Sequence, residues 1–145
     1  MLLKAYCIPR KLGYVGIEKI MVSFTRNDYE PDLCFFRQEI AQHFHKGQML
    51  FPVPDLAVEI LSSNVKHDRI VKYKDYEAHA VSEYWIVDAE KEAVEQYILV
   101  NGKYQLQANQ SDAHISSHVV QGFKIPIRAI FDEEIAYSTL LRLVT

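Results

Sequence analysis

Two acidic side chains lie inside apolar stretches of this 145-residue chain, where an unpartnered charge is costly. Glu59 is in the middle of the run 56–61, which prolines precede and Ser62 follows, a pattern typical of a buried central strand. Asp32 lies in a second such run, 31–36. Burying an ionised carboxylate without a partner costs several kcal/mol. We therefore expect Glu59 to have a cation beside it or to face a water-filled cleft.

A helix is predicted over residues 64–80, directly after the strand that carries Glu59, with Ser63 or Asn64 as its N-cap. The side chains that share roughly one face of this helix are Asp68, Lys72, Asp75, Tyr76 and His79. Lys72 is well placed to extend back over Glu59, and a solvated Lys72 paired with Asp68 is the alternative. We expect Tyr76 and His79 to be packing or rim residues.

Two carboxylates on neighbouring strands can hold a hard divalent cation, Mg²⁺ or Mn²⁺, with water completing the coordination shell. The backbone carbonyl of Ile60, next to Glu59, is a candidate third ligand. Such a metal lowers the pKa of a bound water and stabilises charge on a phosphoryl oxygen. Lys72 would orient that water or neutralise charge at the phosphorus centre. This chemistry is phosphodiester hydrolysis, with Asp32, Glu59 and Lys72 as candidate catalytic residues.

Each of these residues also has a structural interpretation. Asp32 fits turn chemistry at the start of a strand, and Glu59 fits a partnered core carboxylate. His43 and His45 form a His-x-His pair, but no third ligand stands at a recognisable zinc spacing, so surface or packing roles are expected for both. The cations of the predicted helix that are candidates for phosphate contacts, or for plain solvation, are Lys66, Arg69 and Lys74.

The strands that must position these residues are predicted from alternation and turn signals. Segments 17–24 and 32–36, joined by the breaker-rich stretch 26–31, indicate an antiparallel hairpin. Asn101-Gly102 between runs 93–100 and 103–107 is a strong hairpin signal. The other expected elements are a strand at 83–88, a loop at 108–117, a strand-like segment at 119–127 and a helix at 131–143. Segments 1–8 (strand or helix) and 37–51 (helix or loop) stay open.

Length and composition favour one globular domain, 1–145, with an α/β (α+β) fold in which helices flank a mixed β-sheet. The net charge of −3 argues against a general nucleic-acid coating protein, but not against an enzyme with a local basic patch. Cys7 and Cys34 lack metal-site spacing, which favours free thiols in a reducing cytosol. We expect a cytoplasmic protein, because neither a membrane span nor a signal peptide is recognisable.

Over residues 11–132 the chain resembles a restriction-endonuclease-like family of unknown function that is abundant in cyanobacteria. The motifs that carry the resemblance are Asn27-Asp28-Tyr29-Glu30-Pro31-Asp32, Pro54-Asp55-Leu56-Ala57-Val58-Glu59-Ile60-Leu61-Ser62, Asp68-Arg69-Ile70-Val71-Lys72, Glu83-Tyr84-Trp85-Ile86-Val87-Asp88 and Gly122-Phe123-Lys124-Ile125-Pro126. The resemblance implies a PD-(D/E)XK nuclease core, with Asp32 and Glu59 as metal ligands and Lys72 as the catalytic lysine, moved to the helix.

The chain departs from the family pattern at two places. The usual motif has lysine two residues after the glutamate, where this chain has Leu61, so that Lys72 or Lys74 must replace it. Family members also carry a longer N-terminal region, with a helix whose glutamate points into the site. This chain starts about where that region ends, so we expect a domain without it. Glu18 lies too close to the first strand to be a clear substitute.

The sequence thus predicts a Mg²⁺-dependent DNA endonuclease, with Mn²⁺ as a possible substitute. The alternative is a catalytically inactive, truncated nuclease fold that acts as a DNA-binding or dimerisation module. A homodimer is expected from the resemblance and from aromatic residues that the pattern leaves outside the core: Tyr97, Tyr104, Phe123 and Tyr137.

Overall fold

Residues 1–18, 20–61, 66–108 and 113–145 are described by a computed structural model. In chain order the elements are α1 Leu2–Arg10, β1 Gly13–Ile17, β2 Met21–Ser23, β3 Asp28–Tyr29, β4 Leu33–Arg37, α2 Gln38–Ala41, β5 Leu50–Phe51, β6 Leu56–Leu61, α3 Lys66–Ala78, β7 Glu83–Asp88, β8 Ala93–Val100, β9 Lys103–Ala108, β10 His114–Ser116, β11 Lys124–Pro126, α4 Arg128–Phe131 and α5 Glu133–Val144.

A six-stranded sheet in the order β1-β4-β6-β7-β8-β9 forms the centre of the described structure. Strands β6 and β7 are parallel, and α3 is the crossover between them, whereas the other neighbouring strands are antiparallel. The predicted mixed sheet with flanking helices is confirmed. The apolar run of β6 occupies the middle of this sheet, as its composition indicated.

Alternation along β6 divides its side chains between two hydrophobic clusters. Leu56 and Val58 pack in a cluster with residues of α1 and α5, while Ala57 packs in a second cluster that includes Tyr76 of α3. Because side chains two positions apart share a face, Glu59 lies on the same face as Ala57. The glutamate therefore faces α3.

The predicted hairpin of 17–24 with 32–36 is wrong in its first strand. The antiparallel partner of β4 is β1, whereas β2 pairs with β3 and β5 in a separate three-stranded sheet. The chain leaves β1 at Glu18, whose φ of 53° is left-handed. A Cβ at Gly16 would lie 2.5 Å from a side-chain carbon of Ile20, so the chain folds back closely here. Such a bend prevents one continuous strand.

Other local predictions follow the structure more closely. The hairpin of β8 and β9 turns at Asn101 and Gly102, whose φ angles of 51° and 79° are those of a type I′ turn. The helix predicted over 64–80 is α3, and its predicted caps at Ser63 and Asn64 lie outside the described residues. Segment 1–8 is helical as part of α1, and the side chain of Asp132 caps α5.

Two predictions of loops and strands need correction, and one segment that the sequence left open is now assigned. The segment 108–117, expected to be loop, contains β10, which pairs with β11. The strand-like segment 119–127 has its strand only at β11, and 37–51 holds both a short helix, α2, and a short strand, β5. These strands have two or three residues each, too few for alternation to be recognised in the sequence.

A second acidic residue, Glu83 in β7, is fully buried. Its carboxylate accepts hydrogen bonds from the side chains of Trp85, Gln96 and Ser117 and from the backbone amides of His118 and Val119. All five donors are neutral groups. They satisfy the charge without a cation and fasten the loop after β10 to the central sheet.

Strand β9 forms one edge of the central sheet. The pair Leu99 and Tyr104 is the second pair of the hairpin, where the amide of Tyr104 points away from β8. That amide donates to a carboxylate oxygen of Glu77 at 2.8 Å, and Lys103 lies 3.9 Å from the same carboxylate. The Glu77 side chain of α3 therefore accepts a hydrogen bond from a backbone amide at this edge that would otherwise be free to pair with another strand.

The aromatic residues from which a dimer was predicted differ in exposure. Tyr104 and Phe123 are buried within the two clusters, which corrects half of that premise, and Tyr97 packs against the second cluster. Tyr137 on α5 is 63% exposed.

Among the described helices, none has the length and apolar character needed to span a membrane.

Candidate active site

The register between β4 and β6 brings Asp32 beside Glu59. Leu33 is paired with Val58, so Asp32, one residue before β4, lies opposite Glu59 in the antiparallel arrangement. Its Oδ2 accepts a hydrogen bond from the backbone amide of Ile60 at 2.7 Å. The two carboxylates predicted from the sequence are thus at one place in the fold, on adjacent strands.

Glu59 is buried, with 5% of its surface exposed, and has two side-chain donors. The Tyr76 hydroxyl donates to Oε1 at 2.7 Å, and the Lys72 ammonium lies 3.3 Å from Oε2. Burial raises the pKa of the Glu59 carboxyl, an effect that the Tyr76 hydrogen bond and the Lys72 charge oppose and that the Asp32 charge increases. The expected cation beside the buried glutamate is therefore Lys72.

Helix α3 positions both donors because Lys72 and Tyr76 are one turn apart on it. The Lys72 stem spans the distance from the helix to β6, and its side chain remains partly exposed. Lys74, two positions further on, is exposed. Of the two lysines that the sequence left open, the structure brings Lys72 to the carboxylates.

Tyr76 is the site residue that sequence reasoning missed. It was expected to pack or to line a rim, and it does pack, since it is fully buried. The hydrogen bond from its hydroxyl, however, is shorter than the contact of Glu59 with Lys72. The signal was present in the i, i+4 spacing from Lys72, but a tyrosine in a helix fits packing equally well.

Contacts with β3 and with the turn between β2 and β3 hold α3 over this face of the sheet. Asp75 accepts hydrogen bonds from the Tyr29 hydroxyl and, at 3.3 Å, from the Asn27 side chain. The His79 ring stacks on Phe24 with centroids 4.4 Å apart. The helix that carries the two donors to Glu59 is thus fixed by residues of β3 and of the turn that precedes it.

Arg69 fastens α3 on its other side. Its guanidinium forms an ion pair with Glu95 of β8, whose carboxylate also accepts the Tyr97 hydroxyl. Arg69 was a candidate for phosphate contacts, and this pairing gives it a structural role as well. The side chains of Lys66 and Asp68 lie outside the described residues, as does the alternative pairing of Asp68 with Lys72.

The donor set fits a hard cation, although no group of three His, Cys, Asp or Glu side chains able to bind a metal exists among the described residues. Within a strand, the N–H and C=O of one residue point to the same side. Because the amide of Ile60 donates to Asp32, the Ile60 carbonyl faces the Asp32 side as well. Two carboxylates and this carbonyl are oxygen ligands of the kind that Mg²⁺ takes together with water.

The histidine pair lies apart from this site. His45 is exposed, with its Nδ1 3.1 Å from the carbonyl of Lys46. His43 is exposed too. This exposure agrees with the expectation of surface histidines.

A cavity of about 420 Å³ adjoins the site on the other face of the sheet. Apolar residues form most of its walls, and Asp32, Ile60 and Glu18 line it as well. The backbone amide of Glu18 donates to the Asp32 carbonyl at 3.1 Å. Glu18 was considered too close to the first strand to substitute for the missing glutamate, and the structure places it beside Asp32.

Comparisons with known proteins identify a family and a fold. Residues 1–128 match the profile of the Uma2 family, described as "Putative restriction endonuclease". A crystal structure titled as a putative nuclease belonging to DUF820, from Anabaena variabilis, superposes with a TM-score of 0.70 at 15% identity. The match covers 96% of this chain and 75% of that chain. No match was found among curated proteins.

Proposed function

The chain belongs to the Uma2 family, and from this premise we propose that it is a Mg²⁺-dependent DNA endonuclease, with Mn²⁺ as an alternative ion. The observation that carries the proposal is the arrangement around Glu59. A second carboxylate lies opposite Glu59 on the neighbouring strand, and a lysine ammonium lies 3.3 Å from it. Two carboxylates and a lysine at one strand end are the groups that metal-assisted phosphodiester hydrolysis requires.

In the proposed mechanism, Asp32, Glu59 and the carbonyl of Ile60 hold the divalent cation. The bound ion would supply a water of lowered pKa and a positive charge for the phosphoryl oxygens. Lys72 holds a second positive charge beside Glu59, where it can orient the attacking water or offset charge that develops on the phosphate. Burial of Glu59 keeps its carboxylate away from bulk water, which strengthens its electrostatic interaction with Lys72.

Asp32→Asn tests the metal site. The amide keeps an oxygen that can accept the Ile60 amide but removes the charge, so the fold should persist while Mn²⁺ affinity falls at least about tenfold. Isothermal titration calorimetry measures the affinity, and plasmid cleavage with Mg²⁺ or with EDTA measures the activity. Asp28→Asn is the matched control, since Asp28 is an exposed aspartate of β3.

The result also separates the enzyme from the alternative of an inactive nuclease fold. Parent protein that nicks or linearises plasmid only with the metal, together with an inactive Asp32→Asn variant, supports the proposal. Parent protein that binds the plasmid but leaves it intact in Mg²⁺ and in Mn²⁺ would support a DNA-binding module and contradict the enzyme.

We also propose a homodimer that buries more than about 1,000 Å² in total. Support comes from α5, where Tyr137, Leu141 and Val144 form an exposed apolar stripe at positions i, i+4 and i+7. Leu141→Glu should then lower the mass measured by light scattering to that of a monomer. Leu106→Glu is the control, because Leu106 on β9 is equally exposed, at 49% against 48%. A parent protein that is monomeric at high concentration would contradict this proposal.

A further inference from the structure

Both carboxylate oxygens of Glu59 are engaged by the same helix, but by groups of different kinds. Oε1 accepts the neutral Tyr76 hydroxyl at 2.7 Å, and Oε2 faces the Lys72 ammonium at 3.3 Å. The tyrosine is fully buried, whereas the lysine side chain is 27% exposed. One oxygen is thus held from the interior, and the other lies toward the accessible side.

The Tyr76 ring has little freedom to move. It makes edge-to-face contacts with Phe24, Tyr29 and Tyr84, with ring centroids 5.7, 5.6 and 4.9 Å away. Its hydroxyl donates to Oε1 of Glu59 at the short distance of 2.7 Å. A rigid donor of this kind can fix the orientation of the carboxylate that it contacts.

The carboxylate of glutamate needs such a constraint because its terminal torsion is broad, without sharp rotamers. We propose that Tyr76 is a positioning residue, which fixes Oε1 of Glu59 and thereby directs Oε2 toward Lys72 and the divalent cation. The inference rests on the proposed function, since it assigns the hydroxyl a part in metal binding. Partners that orient a metal ligand commonly change metal affinity by about ten- to a hundredfold when removed.

Tyr76→Phe removes the hydroxyl and keeps the ring. We expect the Mn²⁺ affinity of this variant, measured by isothermal titration calorimetry, to fall about tenfold. The matched control is Tyr104→Phe. Tyr104 is buried in the same hydrophobic cluster as Tyr76, and its hydroxyl also donates at 2.7 Å, but to the carbonyl of Val81. The control should bind Mn²⁺ as the parent does, and both variants should lose similar thermal stability.

A second comparison tests the same contact from the side of the glutamate and asks whether Tyr76 acts through Glu59. Glu59→Asp withdraws the carboxylate from Tyr76 by one methylene and keeps the tyrosine, so it should weaken Mn²⁺ binding as well. In that background the added Tyr76→Phe change should alter the affinity by less than about twofold, because the two residues act through one contact.

The outcomes separate this inference from the proposed function. A parent protein that binds Mn²⁺, with equal affinity in Tyr76→Phe, overturns the positioning role and leaves the nuclease proposal intact. If Tyr76→Phe lowers the affinity equally in the parent and in the Glu59→Asp variant, the positioning role is overturned too. A parent protein that binds neither Mn²⁺ nor Mg²⁺ overturns both.

Discussion

Replacement of Lys72 by alanine is expected to lower the rate of plasmid cleavage by about a thousandfold, the effect of removing one preorganised charge from a phosphoryl-transfer site. The ammonium lies 3.3 Å from Glu59 and is the cation nearest to the two carboxylates among the described contacts. None of the three proposed oxygen ligands is changed, so Mn²⁺ binding and the fold should be largely retained. Single-turnover cleavage in Mg²⁺, combined with calorimetric titration of Mn²⁺, measures the two effects separately.

Lys74→Ala is the matched control for this experiment. Lys74 is on the same helix but exposed, so its removal should leave the cleavage rate near that of the parent. A modest loss of DNA affinity is expected if it contacts phosphate, and this loss should diminish at higher salt. Cleavage at the parent rate by Lys72→Ala would disprove the catalytic role of Lys72.

Glu83→Gln is expected to lower the free energy of unfolding strongly for so small a change in the side chain. The substitution replaces one acceptor oxygen by an amide that donates, within a buried carboxylate site surrounded by five donors. Leaving buried donors unsatisfied should lower the free energy of unfolding by about 3 kcal/mol. Thermal unfolding should show a midpoint lowered by roughly 10 °C.

Glu39→Gln provides the comparison, since the Glu39 side chain is 76% exposed and its only ion pair among the described residues is a long one, 3.8 Å, to Arg37. That substitution should change the midpoint little, because exposed pairs contribute little stability. If Glu83→Gln melts together with Glu39→Gln, the carboxylate is not the link between β7 and the loop after β10.

The sequence contained much of the candidate site because its physical constraints are local. A carboxylate inside the apolar run of β6 required a partner, and the following helix offered the candidate lysines, Lys72 and Lys74. Lys72 and Glu59 are separated by 13 positions within one strand and the helix after it. A strand and the helix that follows it can be recognised from their hydrophobic periodicity without knowing the rest of the fold.

The parts that sequence analysis missed depend on long-range packing or on unusual backbone angles. The hydroxyl of Tyr76 is a site group only because α3 lies against the face of β6 that bears Glu59. The strand predicted at 17–24 is interrupted after Ile17 because Glu18 has a left-handed φ angle. The residue types in this segment did not indicate that angle. The Glu83 carboxylate is satisfied by a loop more than thirty positions away.

The contact between Glu77 and the amide of Tyr104 has a consequence for the behaviour of the protein at high concentration. An open strand edge is a template on which another chain can add a strand, and repeated addition leads to aggregation. At β9 the outward amide of Tyr104 is already occupied by a carboxylate, and Lys103 adds a charge beside it. Helix α3 therefore blocks strand addition at this point of the edge at the same time as it carries Lys72 and Tyr76.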